Sequence, residues 1–167
     1  MIKRSIDIIL SIMSMLFFTP LFIPIILILR FTGEGYVFYK QERIGQNGKL
    51  FTLLKFSTML KESPNMLGGN ITVDNDPRIL PFGKSLRKYK INELPQIINV
   101  LLGNMSIIGY RPIVSEQLYF YDIAVKNIIF SNKPGLSGIA SLVFRDEEKY
   151  LIYNNATKNN KFHDDVI

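Results

Sequence analysis

The pattern of apolar and polar positions divides the chain into one long greasy stretch and a series of shorter, mixed elements. From Ile8 to Leu29 no residue is charged, a run of 22. At about 1.5 Å per residue a straight helix of that length covers roughly 33 Å, enough for a hydrocarbon core of about 30 Å. Thr19-Pro20 and Pro24 fall in mid-run, and each proline removes a backbone donor and crowds the preceding turn. Lys3 and Arg4 precede the run, while Arg30, Lys40, Arg43, Lys49 and Lys55 follow it, so the bias of basic residues favours both ends on one side. A helix broken at Thr19, Pro20 and Pro24 that enters and leaves by one face meets both observations. A kinked spanning helix is the alternative. The run is too long for a signal peptide, and no small-residue cleavage site follows it. Asp7 would cost about 3 kcal/mol at the bilayer centre and is expected at the interface.

Beyond the run, Tyr36–Tyr39 and Lys49–Phe56 alternate around the turn signal Gln46-Asn47-Gly48, which predicts a hairpin. Residues 61–77 hold Ser63-Pro64, Gly68-Gly69-Asn70 and Asp74-Asn75-Asp76-Pro77, the composition of a surface loop. Helical signals return at 82–88. Leu94, Ile97, Ile98, Leu101 and Leu102 then repeat at helical spacing and predict a helix over 93–102. Asn92 stands as its N-cap, Pro95 is tolerated in the first turn, and Gly103 is the stop. Ile113 to Phe130 is amphipathic and aromatic, suited either to a membrane surface or to packing on the domain. Lys133-Pro-Gly135 reads as a turn, Arg145–Glu148 opens a last helical piece, and 154–161 is polar. The expected fold is α+β and mainly helical: a re-entrant membrane helix over 1–32, then a small cytoplasmic domain over 33–167 with interfacial helices and a short hairpin.

Composition narrows the chemistry. Cysteine is absent and His163 is the only histidine, which argues against disulfides, thiolate metal sites, a multi-histidine zinc site and a Ser-His-Asp triad. The net charge of +6 implies an anionic partner. No nucleic-acid motif accompanies it, and the basic residues adjoin the apolar run, so nucleic acid is not the expected partner.

The candidate site lies around the start of the 93–102 helix. A helix start carries partial positive charge and suits phosphate. Arg87 lies upstream and Arg111 downstream, and guanidinium groups match phosphate oxygens bidentately. Glu93 is the carboxylate that could hold magnesium, an ion that typically takes one or two carboxylates together with substrate phosphates. Each residue also has an ordinary explanation. Asn caps helices, Glu suits a first turn, and surface arginines are solvated or bind lipid headgroups.

The order of the segments resembles the bacterial sugar transferase family, the monotopic phosphoglycosyl transferases typified by the Campylobacter enzyme. The resemblance rests on the proline-broken N-terminal helix, Gln41-Glu-Arg-Ile-Gly45, Lys55-Phe-Ser-Thr-Met59, Asp76-Pro-Arg78, Phe82-Gly83 and Leu86-Arg-Lys88. It continues through Asn92-Glu-Leu-Pro-Gln96, Gly103-Asn-Met-Ser106, Gly109-Tyr-Arg-Pro112 and Lys133-Pro-Gly135, and Phe144–Glu148 looks like one subgroup. The 92–112 block is the specific part.

The resemblance implies transfer of a phospho-sugar from a UDP-sugar to polyprenyl (undecaprenyl) phosphate, releasing UMP, as a first membrane step of glycan assembly. The implied setting is the cytoplasmic face of a bacterial inner membrane. Magnesium is the implied cofactor, UDP-sugar, polyprenyl phosphate and membrane lipids are the implied partners, and the oligomeric state is left open. The implied catalytic pair falls on Asn92 and Glu93, with Arg87, Arg111, Lys55 and Arg78 as substrate-binding candidates.

Three residues depart from the family pattern. Asn92 stands at the position of the nucleophilic Asp, Asn104 where Asp is usual, and Tyr110 where Pro is usual. The chain also stops short of the usual family C-terminus. The alternative expectation is therefore a catalytically impaired scaffold or lipid-phosphate-binding homologue.

Overall fold

A computed structural model describes residues 2–66, 72 and 76–138. Gly68–Asn70, Asp74-Asn75, the 145–148 helical piece, the polar stretch 154–161 and His163 lie outside the described residues.

The long apolar run forms α1, Ile2–Phe31. Contrary to the expected interruption, the helix continues through Thr19, Pro20 and Pro24. Each proline removes one N–H from the ladder, so only the carbonyls four residues earlier lose a partner, and the flanking bonds hold the helix together. Thr19 Oγ1 donates to Met15 O at 2.7 Å within the same turns. By length and composition α1 could cross a membrane. Its middle is bare, with Leu16 72% and Phe17 76% exposed.

Both ends of α1 nevertheless rest on the same folded body. Near the N-terminus Arg4 donates to Val100 O and Leu101 O at 2.6 and 2.7 Å. Toward the C-terminus Ile25 and Leu29 enter a buried cluster with Phe56 and Leu86, flanked by Phe22 and Phe82. Burying such side chains stabilises the contact by about 1.5–3 kcal/mol each. A detached helix would give up several of these terms at once.

The expected hairpin is present. Strands β1 (Phe38–Ile44) and β2 (Leu50–Phe56) pair antiparallel with Arg43 opposite Phe51, Gln41 opposite Leu53 and Tyr39 opposite Lys55. Asn47, at φ 58°, and Gly48, at φ 72°, supply the left-handed residues of the turn. After Asp76-Pro77-Arg78 comes α2, Pro81–Lys88, with Pro81 in the first turn.

The next helix begins later than its apolar repeat predicts. Lys90 adopts the left-handed conformation, Ile91–Glu93 make one 3-10 turn, and α3 proper spans Gln96–Leu102 behind Pro95. Its buried face is Gln96, Ile97, Asn99 and Val100, whereas Leu102, expected inside, is 69% exposed. Polar Asn99 is buried because its amide copies a strand edge. It donates to Thr52 O at 2.7 Å and accepts from Leu54 N at 3.0 Å, which docks α3 on β2.

Gly103 ends α3 as expected, at φ 91°. Gly103→Ala should lower the unfolding free energy by about 1 kcal/mol, because alanine resists positive φ; denaturant unfolding in detergent checks this.

Strands β3 (Ser106–Ile108) and β4 (Gly135–Ser137) form a parallel pair that the sequence reading did not anticipate, having treated 133–135 as a turn. Between them a 3-10 segment, Ser115–Phe120, precedes α4, Ile123–Ser131. The protein is α+β, with more helix than strand.

Candidate active site

Four pieces of backbone converge on one hollow. The hairpin contributes Arg43, Leu53 and Lys55; the approach to α3 contributes Glu93 and Gln96; Arg111, Pro112, Gly135 and Leu136 close the far wall. Strand periodicity explains the first group. Successive side chains alternate faces, and the register places Arg43 and Lys55 on the same inner face as Phe51 and Leu53. The left-handed Lys90 and the 3-10 turn after it bring Glu93 to the hollow.

The far wall depends on glycine. A Cβ on Gly109 would lie 2.5 Å from Lys133 O, and one on Gly135 2.1 Å from Gly109 N, so only glycines permit this approach. Gly135 N donates to Tyr110 O at 2.8 Å, which holds the segment leading to Arg111.

Three cations surround a single carboxylate. Lys55 Nζ lies 3.4 Å from Glu93 Oε1, both side chains being partly exposed. Arg43 donates to Pro112 O at 2.9 Å and to Gln41 Oε1 at 2.7 Å. Burial lowers the Lys55 pKa, with Glu93 opposing the shift and Arg43 and Arg111 adding to it. Arg43 is lowered as well, by burial first and then by Arg111. Burial acts to raise the Glu93 carboxyl, but Lys55, Arg111 and Lys90 together outweigh it and hold the group below the usual carboxylate range. Glu93 is therefore ionised at neutral pH in a site of net positive charge, which suits an anion with more than one negative oxygen.

The structure brings together Lys55, Glu93 and Arg111 of the expected residues. Asn92 does not cap a helix. It sits inside the 3-10 turn, 7% exposed, because the left-handed Lys90 starts the turn earlier than the apolar repeat suggests. Its Oδ1 has no hydrogen-bond partner. Asn92 adjoins Glu93 but is not among the residues lining the hollow.

Arg87 is half-buried on α2 with Nη1 3.9 Å from Met59 Sδ, and it does not line the hollow. Arg78, expected to bind substrate, is instead buried in an ion pair with Asp76, with Nη2–Oδ2 at 2.6 Å, and donates to Ser63 O at 2.9 Å. Arg78 N also donates to Asp76 Oδ1, so the pair stiffens a turn. Arg78→Lys should leave the affinity of the folded protein for UDP within about twofold, read by titration calorimetry. Thr19, Pro20 and Pro24 lie on the exposed middle of α1, and Asn104 follows the end of α3.

Sequence reasoning missed Arg43 and Gln96 as site residues. Both stand inside quoted motifs, and the alternation of 41–45 was the available signal for Arg43. Among the described residues the buried side-chain polar atoms without a partner are Ser11 Oγ, Arg43 Nε, Asn92 Oδ1 and Tyr110 OH. Arg43 lines the hollow, while Asn92 and Tyr110 adjoin its residues Glu93 and Arg111. Burial pushes the Tyr110 hydroxyl up to about 12. Unpaired buried groups of this kind cost stability and mark places built to meet a ligand or water.

No group of three or more His, Asp or Glu side chains that could hold a metal is present among the described residues. Glu93 is the one acid lining the hollow. That donor set fits magnesium only in company with phosphate oxygens, the arrangement this ion commonly takes.

Comparison with known proteins agrees with the geometry. The profile of the family described as "Bacterial sugar transferase" matches residues 1–165. Exopolysaccharide production protein ExoY of Rhizobium meliloti is 36% identical over 164 residues, covering 90% of this chain and 72% of that protein. The undecaprenyl-phosphate galactose phosphotransferase of Salmonella typhimurium is 36% identical over 163 residues, 89% of this chain and 34% of its own length. The UDP-glucose:undecaprenyl-phosphate glucose-1-phosphate transferase of Escherichia coli is 35% identical over 144 residues, 85% of this chain and 31% of its own. With the match running over nearly every residue, the chain belongs to the bacterial sugar transferase family.

Proposed function

We propose that the protein transfers a sugar phosphate from a UDP-sugar to undecaprenyl phosphate, releasing UMP, on the cytoplasmic face of a bacterial membrane. The observation that carries this reading is the cationic hollow around Glu93 on a body that holds both ends of an apolar helix. With both ends seated on one body, α1 would kink at Pro20 and Pro24 without losing its helical continuity, so that its exposed middle enters one leaflet while both ends stay at the same face. A lipid phosphate at the bilayer surface then lies beside the hollow.

Arg43, Lys55 and Arg111 absorb the negative charge of the diphosphate and of the phosphoryl centre as it reacts. The oxygen of the lipid phosphate attacks the sugar-bearing phosphorus, the bond to the bridging oxygen breaks, and UMP leaves with the electron pair. The attacking oxygen is already an anion, so no general base is required. Glu93 is the carboxylate that would hold magnesium, whose charge offsets that of the diphosphate when bound. The amide of Asn92 cannot supply the carboxylate needed for a covalent phospho-sugar intermediate.

Purified protein in detergent with undecaprenyl phosphate should release UMP from at least one member of a UDP-sugar panel, and only when the lipid is present. Silence across the panel favours a second reading, a homologue that binds these ligands without turnover, to which Asn92 gives specific support.

A further inference from the structure

The first turns of α1 contain a buried acid that the proposed chemistry does not use. Asp7 is 6% exposed, and its carboxylate accepts from Ser106 Oγ at 2.9 and 3.1 Å and from Ile107 N at 3.0 Å. Three residues earlier on the same helix, Arg4 donates to the carbonyls of Val100 and Leu101 at the C-terminal end of α3. Val100 O also accepts from Gly103 N at 3.0 Å, and both carbonyls belong to the last turn of α3, where partial negative charge favours a guanidinium.

These contacts fall on the two elements that build opposite walls of the hollow. Gln96 opens α3 and Glu93 lies just ahead of it; Arg4 grips the same helix at its other end. Strand β3, held by Asp7, pairs with β4, whose Gly135 and Leu136 line the hollow, and runs directly into Gly109, Tyr110 and Arg111. Ser106 N and Gly109 N are further tied to Pro134 O and Ser137 O at 2.8 and 3.0 Å. The glycine contacts at 109 and 135 leave no slack in that wall. A shift of β3 is therefore passed on to Arg111.

We infer that Asp7 and Arg4 are positioning residues: the root of the apolar helix sets the spacing between Glu93 and Arg111, so seating of that helix tunes affinity for a nucleoside diphosphate. The inference rests on the proposed function for the class of ligand. It adds a residue pair that does not line the hollow and a dependence of the site on the helix root. Membrane attachment would serve two ends, since apolar surface holds the protein to the bilayer while the polar root of the helix adjusts the pocket.

The test uses the full chain in detergent and two readouts, UDP affinity by titration calorimetry and UMP release. Asp7→Ala should weaken UDP binding about fivefold, and Asp7→Asn, which keeps an oxygen to accept from Ile107 N, should return it to within about twofold. In an Arg111→Ala background, Asp7→Ala should have no further effect on UDP affinity, because its influence passes through that side chain. Unchanged affinity in folded Asp7→Ala, or the same loss in both backgrounds, overturns the inference. Should Asp7→Ala not accumulate as folded protein, Ser106→Ala removes one donor to the same carboxylate and should weaken binding in the same direction; normal affinity there overturns the inference equally. A protein that releases no UMP yet shows this pattern of UDP affinity would sink the proposed reaction and leave the positioning role standing.

Discussion

Glu93→Gln is expected to lower UMP release by about 1,000-fold, roughly 4 kcal/mol of transition-state stabilisation. The side chain keeps its size, so the fold should be unaffected. What changes is the one carboxylate lining the hollow, which Lys55, Arg111 and Lys90 keep ionised against the effect of burial. Its loss removes the one acid that, among the described residues, lines the hollow and would hold magnesium under the proposed function, and it leaves Lys55 without its ion-pair partner. UDP affinity should rise, because an uncompensated cation then faces the phosphates. Opposite signs in binding and turnover distinguish this from misfolding. A variant with wild-type turnover would remove Glu93 from the mechanism.

Asn92→Asp is expected to act the other way, raising turnover at least about tenfold, or 1.4 kcal/mol. The amide oxygen of Asn92 is buried without a hydrogen-bond partner, one residue before Glu93, which lines the hollow. A carboxylate there would have no hydrogen bond to give up. Its attack on the sugar-bearing phosphorus would break the bond to the bridging oxygen, release UMP and form an acyl phosphate, from which the lipid phosphate would then displace the carboxylate. Its burial should also cost stability, so a lower melting temperature should accompany the faster reaction. The adduct is readable as a hydroxylamine-labile mass increase on the variant. Unchanged turnover would mean that position 92 does not limit the rate.

Much of this arrangement was legible in the chain because it is local. Alternation around Gln46-Asn47-Gly48 revealed the hairpin, and Gly103 marked the end of a helix whose apolar repeat was plain. The failures have physical causes. The start of α3 was misplaced because the left-handed Lys90, a conformation that costs a lysine roughly 1–2 kcal/mol, leaves no periodic trace. Asn92 was read as a cap on that false start. Arg78, expected at the substrate, is engaged with Asp76, and the spacing of two residues between them was the available sign of that turn. Arg43 was overlooked as a site residue because its place opposite Phe51 depends on strand register, and Asp7 because its partners lie about a hundred residues away. Prolines in α1 suggested a break, yet two missing donors did not end a helix of 30 residues.

The account depends most on α1 returning to the face it left, with the hollow on that face. Cysteine is absent from the chain, so single cysteines placed at exposed Ile2 and Lys40 are unique labels. In sealed inverted membrane vesicles, where the cytoplasmic face is outward, a membrane-impermeant maleimide should modify both. Labelling of only one of the two positions would put the ends of α1 in different compartments and contradict the account.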